Sequence, residues 1–208
     1  MRQKPLQGSN SMKKHEFTQP KRYARAGWSL IELLAVVVIL GIAAMIIIPF
    51  AASGASASGQ SAARVLVTDM LAAQMDAVAT QGFRRVHFYG DGTGWCILEL
   101  NASELSLPFD SATATYAENA IESQGQDQKS IIHFVQDTRF NNIAVENVNF
   151  GIGTTGVTFD PTGGITASDG APSLGGSVDI TSGDFGWTIT IAPLTGKVSV
   201  KEIVGKSL

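Results

Sequence analysis

The chain has 208 residues, of which 44% are hydrophobic and 16% are charged, and its formal net charge is −3. This length suits one globular domain with an additional segment. The composition excludes collagen-like, disulfide-scaffold and highly charged disordered proteins. The single cysteine, Cys96, also excludes an intramolecular disulfide.

Charge is distributed unevenly along the chain. Residues 1–27 carry seven basic side chains and one acid, a net +6, whereas the rest carries eight basic and 17 acidic side chains, a net −9. Between them, Glu32 is the one ionisable residue in the apolar stretch 28–52. About 20 apolar residues suffice to span a bilayer, so 28–52 is predicted to be a transmembrane helix. The basic flank predicts a cytoplasmic N-terminus, with the acidic body across the membrane.

Glu32 separates three interpretations of the apolar stretch. A plain anchor and a secretory signal peptide cleaved near residues 55–57 both leave this acid without a partner. An acid inside an apolar span costs roughly 2.5–3.5 kcal/mol on insertion scales, so it needs a use or a partner. The third interpretation, a processed filament subunit, rests on the residues around Glu32.

Those residues form the motif AGWSLIELL at 26–34. The motif resembles the processing and methylation site of type IV prepilins and type II secretion pseudopilins. The resemblance implies that a prepilin peptidase cuts after Gly27 and that Trp28 becomes the N-methylated first residue. It also implies that Glu32 pairs with a Trp28 amine, on its own chain or a neighbour's, during assembly. Trp28 and Ser29 stand where the family usually has Phe and Thr.

Helical periodicity continues beyond the apolar stretch. Pro49 is expected to kink the helix, because proline removes one main-chain hydrogen bond and crowds the preceding turn. Apolar residues then recur every three or four positions, at Ala62, Leu66, Met70, Ala73 and Ala77. We therefore predict one long helix, with 28–52 in the membrane or filament core and 53–82 as the second half of the stem.

Beyond Gly82 the apolar period changes to two. Strands are predicted at 84–89 and 95–100, and around the alternating apolar residues of 157–159, 178–180, 187–191 and 198–200. Residues 101–129 and 163–176 are predicted to be loops. The predicted fold is α+β and type IV pilin-like: a removed leader at 1–27, then a long N-terminal helix packed on one antiparallel sheet. The sheet would form a periplasmic or extracellular head at 83–208.

Three segments of the body, 73–78, 157–164 and 189–198, resemble the GspH/FimT family of minor pseudopilins and minor type IV pilins. The resemblance implies a GspH-like structural subunit that assembles into the pseudopilus of a type II secretion system. Its partners would be the prepilin peptidase, other pilin or pseudopilin subunits and the bacterial inner membrane, which it would cross once.

The alternative is a FimT-like minor type IV pilin that serves pilus biogenesis or DNA uptake. Lys197 and Lys201 are the residues that would contact DNA, although a body of net −9 repels phosphate, and no DNA partner is expected. No catalytic constellation, cofactor motif or metal-ligand spacing occurs, and the three histidines are isolated in the sequence. We therefore expect neither enzymatic activity nor a cofactor or metal.

Overall fold

The structure, a computed structural model, describes residues 29–118, 128–140, 142–151 and 154–204. Its contacts divide the chain into two compact units, Met1–Ala44 and Met45–Leu208. Helix α1 is assigned to Leu30–Thr80 and is followed by strands and one short 3-10 helix, Ala102–Glu104. The strands are β1 (Phe83–Phe88), β2 (Gly94–Leu100), β3 (Ile131–His133), β4 (Ile143–Asn149), β5 (Gly156–Phe159), β6 (Ile165–Thr166), β7 (Gly176–Ser182), β8 (Phe185–Ile191) and β9 (Val198–Val204).

Within the described parts of the chain, no helix is both long enough and apolar enough to cross a bilayer. Apart from Gly54, the side chains of α1 are described over two stretches, 30–45 and 56–80. A helix needs about 20 apolar residues to span a hydrocarbon core, and neither described stretch meets this requirement. The second carries charged residues. The predicted transmembrane helix at 28–52 and the single-pass inner-membrane location are therefore wrong.

The predicted fold class is also wrong. A long pilin-like helix with a membrane-spanning first half was expected to pack on one sheet, whereas each described stretch of helix is short. The strands form two antiparallel sheets, one in the order β3-β2-β1-β5-β6 and the other in the order β4-β7-β8-β9. The second sheet is separate because β7, β8 and β9 pair with one another and with β4, which was not predicted, and not with a strand of the first sheet.

The second stretch of α1 and both sheets share one hydrophobic core. The predicted apolar stripe of the helix is confirmed, since all five of its members are at most 2% exposed. Val86, Trp95 and Phe159 of the first sheet belong to the same buried cluster as Val178 and Ile189 of the second. Each Å² of apolar surface removed from water contributes about 25 cal/mol to the free energy of folding, so this cluster is the main source of the body's stability.

The strands predicted from alternation are confirmed as β1, β2, β5, β7, β8 and β9. The predicted loops contain short elements that were missed. The loop at 101–129 includes the 3-10 helix, and the loop at 163–176 includes β6, which pairs with β5.

Candidate functional site

The first stretch of α1 exposes the large apolar side chains that it contains. Their exposed fractions run from 38% for Val36 to 85% for Leu30. The other members are Ile31, Leu33, Leu34, Val37, Val38, Ile39, Leu40, Ile42 and Met45. We call these residues the apolar helix surface. Contiguous exposed apolar areas beyond a few hundred Å² usually mark a surface that another molecule covers, so this surface is the first candidate site.

Ser29 caps the start of this helix. Its carbonyl accepts hydrogen bonds from the amides of Glu32 and Leu33 at 3.0 and 3.2 Å. Its hydroxyl oxygen accepts a further bond from the Glu32 amide at 3.3 Å. The Glu32 carboxylate lies in the first turn, where the helix dipole favours negative charge. Glu32 is exposed, and among the described residues no cation lies within ion-pair distance of it.

The cleavage and methylation residues, Gly27 and Trp28, lie outside the described residues. The helix assignment runs through Pro49, but the side chains of 46–53 are not among those described, so the kink stays a prediction.

The two candidate DNA-contacting lysines lie at one edge of the second sheet. Lys197 immediately precedes β9, and Lys201 lies within β9 opposite Thr188 of β8. Both side chains are exposed. Their role in DNA contact stays a prediction.

The structure brings together the three body segments that carried the second resemblance. The side-chain amide of Gln74 donates to the carbonyl of Gly163 at 2.5 Å and to the carbonyl of Thr195 at 3.1 Å. A Cβ at Gly196 would lie 2.7 Å from the same amide nitrogen, and Gly196 has φ +62°. Gln74 therefore joins the helix to the β5–β6 turn of one sheet and the β8–β9 turn of the other, a structural role.

A second candidate site was not predicted. It is a cavity of about 240 Å³ on the face of the first sheet to which Arg85 and His87 of β1 point. Val86, between them, belongs to the core on the opposite face, as the alternation of a strand requires. Residues 105–109 cover the cavity, and several hydroxyl residues, including Thr158 of β5, are among those that line the rest of it.

Arg85 holds the covering segment in place. Its Nε donates to the Thr158 hydroxyl at 3.0 Å, its Nη1 donates to the Leu107 carbonyl at 3.4 Å, and its Nη2 donates to the Leu105 carbonyl. Burial lowers the pKa of Arg85 from its usual value, which nevertheless leaves a guanidinium charged at neutral pH.

His87 lies beside Arg85 in the cavity wall and is 6% exposed. Its ring stacks on Phe109 with centroids 4.1 Å apart, and its Nδ1 lies 3.1 Å from the hydroxyl of Thr155. Burial, and secondarily the charge of Arg85, lower the pKa of His87 to about 4. The imidazole is therefore neutral at pH 7, and Arg85 supplies the cavity's positive charge.

From the sequence, Arg85 was identified only as a basic residue and His87 only as an isolated histidine. Their i, i+2 spacing on a predicted strand was the available signal, because it places both side chains on one face. Nothing in the sequence showed that residues 105–109 would fold over that face.

The described residues contain no set of three or more His, Cys, Asp or Glu side chains arranged to hold a metal. Cys96 is fully buried, and burial raises the pKa of its thiol to about 11, so it is protonated at neutral pH. A buried thiol in this state is a poor nucleophile, because the thiolate is the reactive form.

Comparisons of the chain with protein-family models, with curated proteins and with solved structures found no match.

Proposed function

We propose that the chain is a structural subunit of a pilus-like fibre, a minor pseudopilin of a type II secretion system. It would be cut after Gly27 and would assemble by packing its apolar helix surface against other subunits. The observation that carries the proposal is the apolar helix surface itself, where Leu30, Ile31 and Met45 are each more than 70% exposed.

Burial between subunits gives this surface a physical purpose. Fully burying a Leu, Ile, Val or Met side chain contributes roughly 1.5–3 kcal/mol. Eleven such side chains are exposed along the first stretch of α1, so even partial coverage by a neighbouring helix supplies a large driving force for association. An exposed surface of this kind is a liability in a protein that acts alone.

Glu32 gives the association a direction. It is an acid within an apolar helical stretch, and the described residues offer it no cation. Cleavage after Gly27 would create a cationic amine on Trp28, four residues from Glu32. Pairing between the two offsets the cost of desolvating the carboxylate when helices pack, and it disfavours registers that leave the acid unpaired.

Disulfide trapping tests the assembly. The single native cysteine, Cys96, is buried, so a cysteine introduced by Val38→Cys on the apolar helix surface is the reporter. The full chain is made with a prepilin peptidase, purified in non-ionic detergent and oxidised after the detergent is removed. Packing of the helices predicts disulfide-linked dimers of this variant, and adding Glu32→Gln should lower their yield several-fold.

Asp184→Cys is the matched control, because Asp184 is exposed in the turn between β7 and β8, away from the apolar helix surface in sequence. It should give few dimers. Equal dimer yields from the two cysteine variants would indicate non-specific aggregation, and an absence of Val38→Cys dimers would contradict the proposed packing.

A further inference from the structure

We propose that the cavity beside Arg85 and His87 binds a compact oxyanion, a carboxylate or phosphate group carried on a short apolar body. This inference is independent of the proposed function and concerns a face of the body that the apolar helix surface does not include.

Arg85 and Thr158 bring hydrogen-bond donors to the cavity wall that the described residues leave unused. A guanidinium has five N–H groups, and three bonds from Arg85 are accounted for, to Thr158, Leu105 and Leu107. Two N–H groups of Arg85 are therefore without an acceptor among the described residues. The hydroxyl of Thr158 accepts the Nε bond, and its own hydrogen likewise has no described acceptor.

The pair of His87 and Thr155 adds a further donor. The His87 ring is neutral at pH 7, so one nitrogen carries a hydrogen and the other accepts. The Thr155 hydroxyl and Nδ1 of His87 lie 3.1 Å apart, and one of them donates to the other. If Thr155 donates, the hydrogen on Nε2 of His87 is spare, and if Nδ1 donates, the hydroxyl hydrogen of Thr155 is spare. Arg85, Thr158 and this pair thus line one cavity with spare donors, which is the arrangement that an oxyanion requires.

The charge of Arg85 is not neutralised within the described structure. The lining of the cavity includes no Asp or Glu. Arg85 also lines a smaller neighbouring cavity with Glu99, Glu104 and Asp110. However, no carboxylate oxygen of the described residues lies within 4.0 Å of its guanidinium nitrogens. Arg85 is half-buried, and a partly desolvated charge without an ion pair gains from an anionic ligand.

The remaining walls select the body of the ligand. Leu107, Pro108 and Phe109 of the covering segment give the cavity an apolar part of its wall. A volume of about 240 Å³ accommodates a small organic anion and not a large one. An aromatic or branched aliphatic acid, or the corresponding phosphate ester, matches both the charge and the shape.

Nuclear magnetic resonance of the histidine rings tests the proposal directly. The full chain is labelled with 13C-histidine in non-ionic detergent, and the His87 signal is assigned from a His87→Gln sample. Sodium benzoate and phenyl phosphate are titrated separately to about 50 mM at constant ionic strength. We expect saturable movement of the His87 signal while the His133 signal stays fixed. The tighter of the two probes identifies carboxylate or phosphate as the preferred group.

Two variants probe the donors. Arg85→Lys keeps the charge but removes the planar fork, and it should weaken binding at least about tenfold, because charge-assisted bonds are worth roughly 1.5–3 kcal/mol. Thr158→Val preserves the shape of the side chain, removes one donor and should weaken binding several-fold. This variant keeps the test available if Arg85→Lys does not fold. Lys197→Met, which removes an exposed cation elsewhere, should leave affinity unchanged.

Three results would overturn the proposal. They are the absence of a saturable shift with either probe, equal movement of the His133 signal, and full affinity in folded Arg85→Lys or Thr158→Val protein.

Discussion

The indole Nε1 of Trp95 donates a hydrogen bond of 2.8 Å to the Oδ2 atom of Asp69, joining the first sheet to helix α1 inside the core. Trp95 is fully buried. Burial raises the pKa of Asp69 from 3.8 to about 6, and the hydrogen bond from Trp95 opposes this rise. Ionisation of the Asp69 carboxyl group in the folded protein therefore costs free energy, and this cost makes the stability of the body depend on pH.

Asp69 makes the protein less stable as the pH rises. A folded-state pKa above the unfolded value gives a stabilisation that is complete below about pH 4 and is lost as the pH rises through about 6. The amide introduced by Asp69→Asn cannot ionise, and its oxygen still accepts the Trp95 bond. The variant should gain roughly 2 kcal/mol relative to wild type at pH 7.5, after allowance for solvent screening.

Thermal unfolding at pH 4.5 and pH 7.5 measures this difference. The gain corresponds to a Tm increase of roughly 5 °C at pH 7.5 for a body of this size, with about a third of that increase at pH 4.5. Asp184→Asn, at an exposed turn residue, is the control and should show no such pattern. Equal effects of Asp69→Asn at both pH values would show that the carboxylate is not desolvated.

Gly59 is required where α1 meets the second sheet. A Cβ at this position would lie 2.2 Å from a ring carbon of Trp187 and 2.9 Å from the Cβ of Ser182. Gly59→Ala should therefore lower the free energy of unfolding by about 1–3 kcal/mol, because overpacking outweighs the roughly 1 kcal/mol gain in helix propensity.

Gly54 provides the matched comparison in the same helix, since a Cβ there would meet no atom of the described residues within 4 Å. Gly54→Ala should leave stability unchanged or raise it by up to about 1 kcal/mol. Chemical denaturation of both variants measures the two signs. Stabilisation by Gly59→Ala would mean that the helix and Trp187 do not approach as described.

Gln74 should contribute to stability through its two hydrogen bonds. Gln74→Met keeps the length of the side chain but removes the amide that serves the carbonyls of Gly163 and Thr195. The partly buried carbonyl of Gly163 and the exposed carbonyl of Thr195 then lose their donor, at a cost of about 1–3 kcal/mol that comes mainly from Gly163. Met75→Gln, at a neighbour that is 72% exposed, should be neutral in the same denaturation experiment. Equal stability of both variants would show that Gln74 does not hold the helix to the β5–β6 and β8–β9 turns.

Local patterns predicted those elements whose stability is local or whose burial alternates. β7 and β8 were predictable because Val178, Ile180, Ile189 and Ile191 alternate with polar residues and are all buried. β4 was not predictable, because its sequence IAVENVN is polar in its second half and a register shift occurs there, with Asn147 at φ +51°. β3 and β6 have three and two residues, too few to show a period.

The membrane prediction failed for a different reason. It counted 28–52 as one apolar unit, whereas no helix of the described residues is both long enough and apolar enough to cross a bilayer. The cavity was unpredictable in another way, because the contact between Arg85 and the carbonyl of Leu105 joins residues 20 positions apart through an irregular segment. Hydrophobic periodicity carries no information about such a contact.

The intact mass of the full chain made with a prepilin peptidase tests most directly whether this protein is a fibre subunit. We expect a mature protein that begins at Trp28, retains the apolar helix surface and is one methyl group heavier than its sequence. Replacement of Gly27 by a bulky residue, Gly27→Leu, should block the cut, whereas Glu32→Gln should leave it intact. A chain that begins near residue 58, or one that remains uncut beside a processed control prepilin, would contradict the proposed fibre subunit.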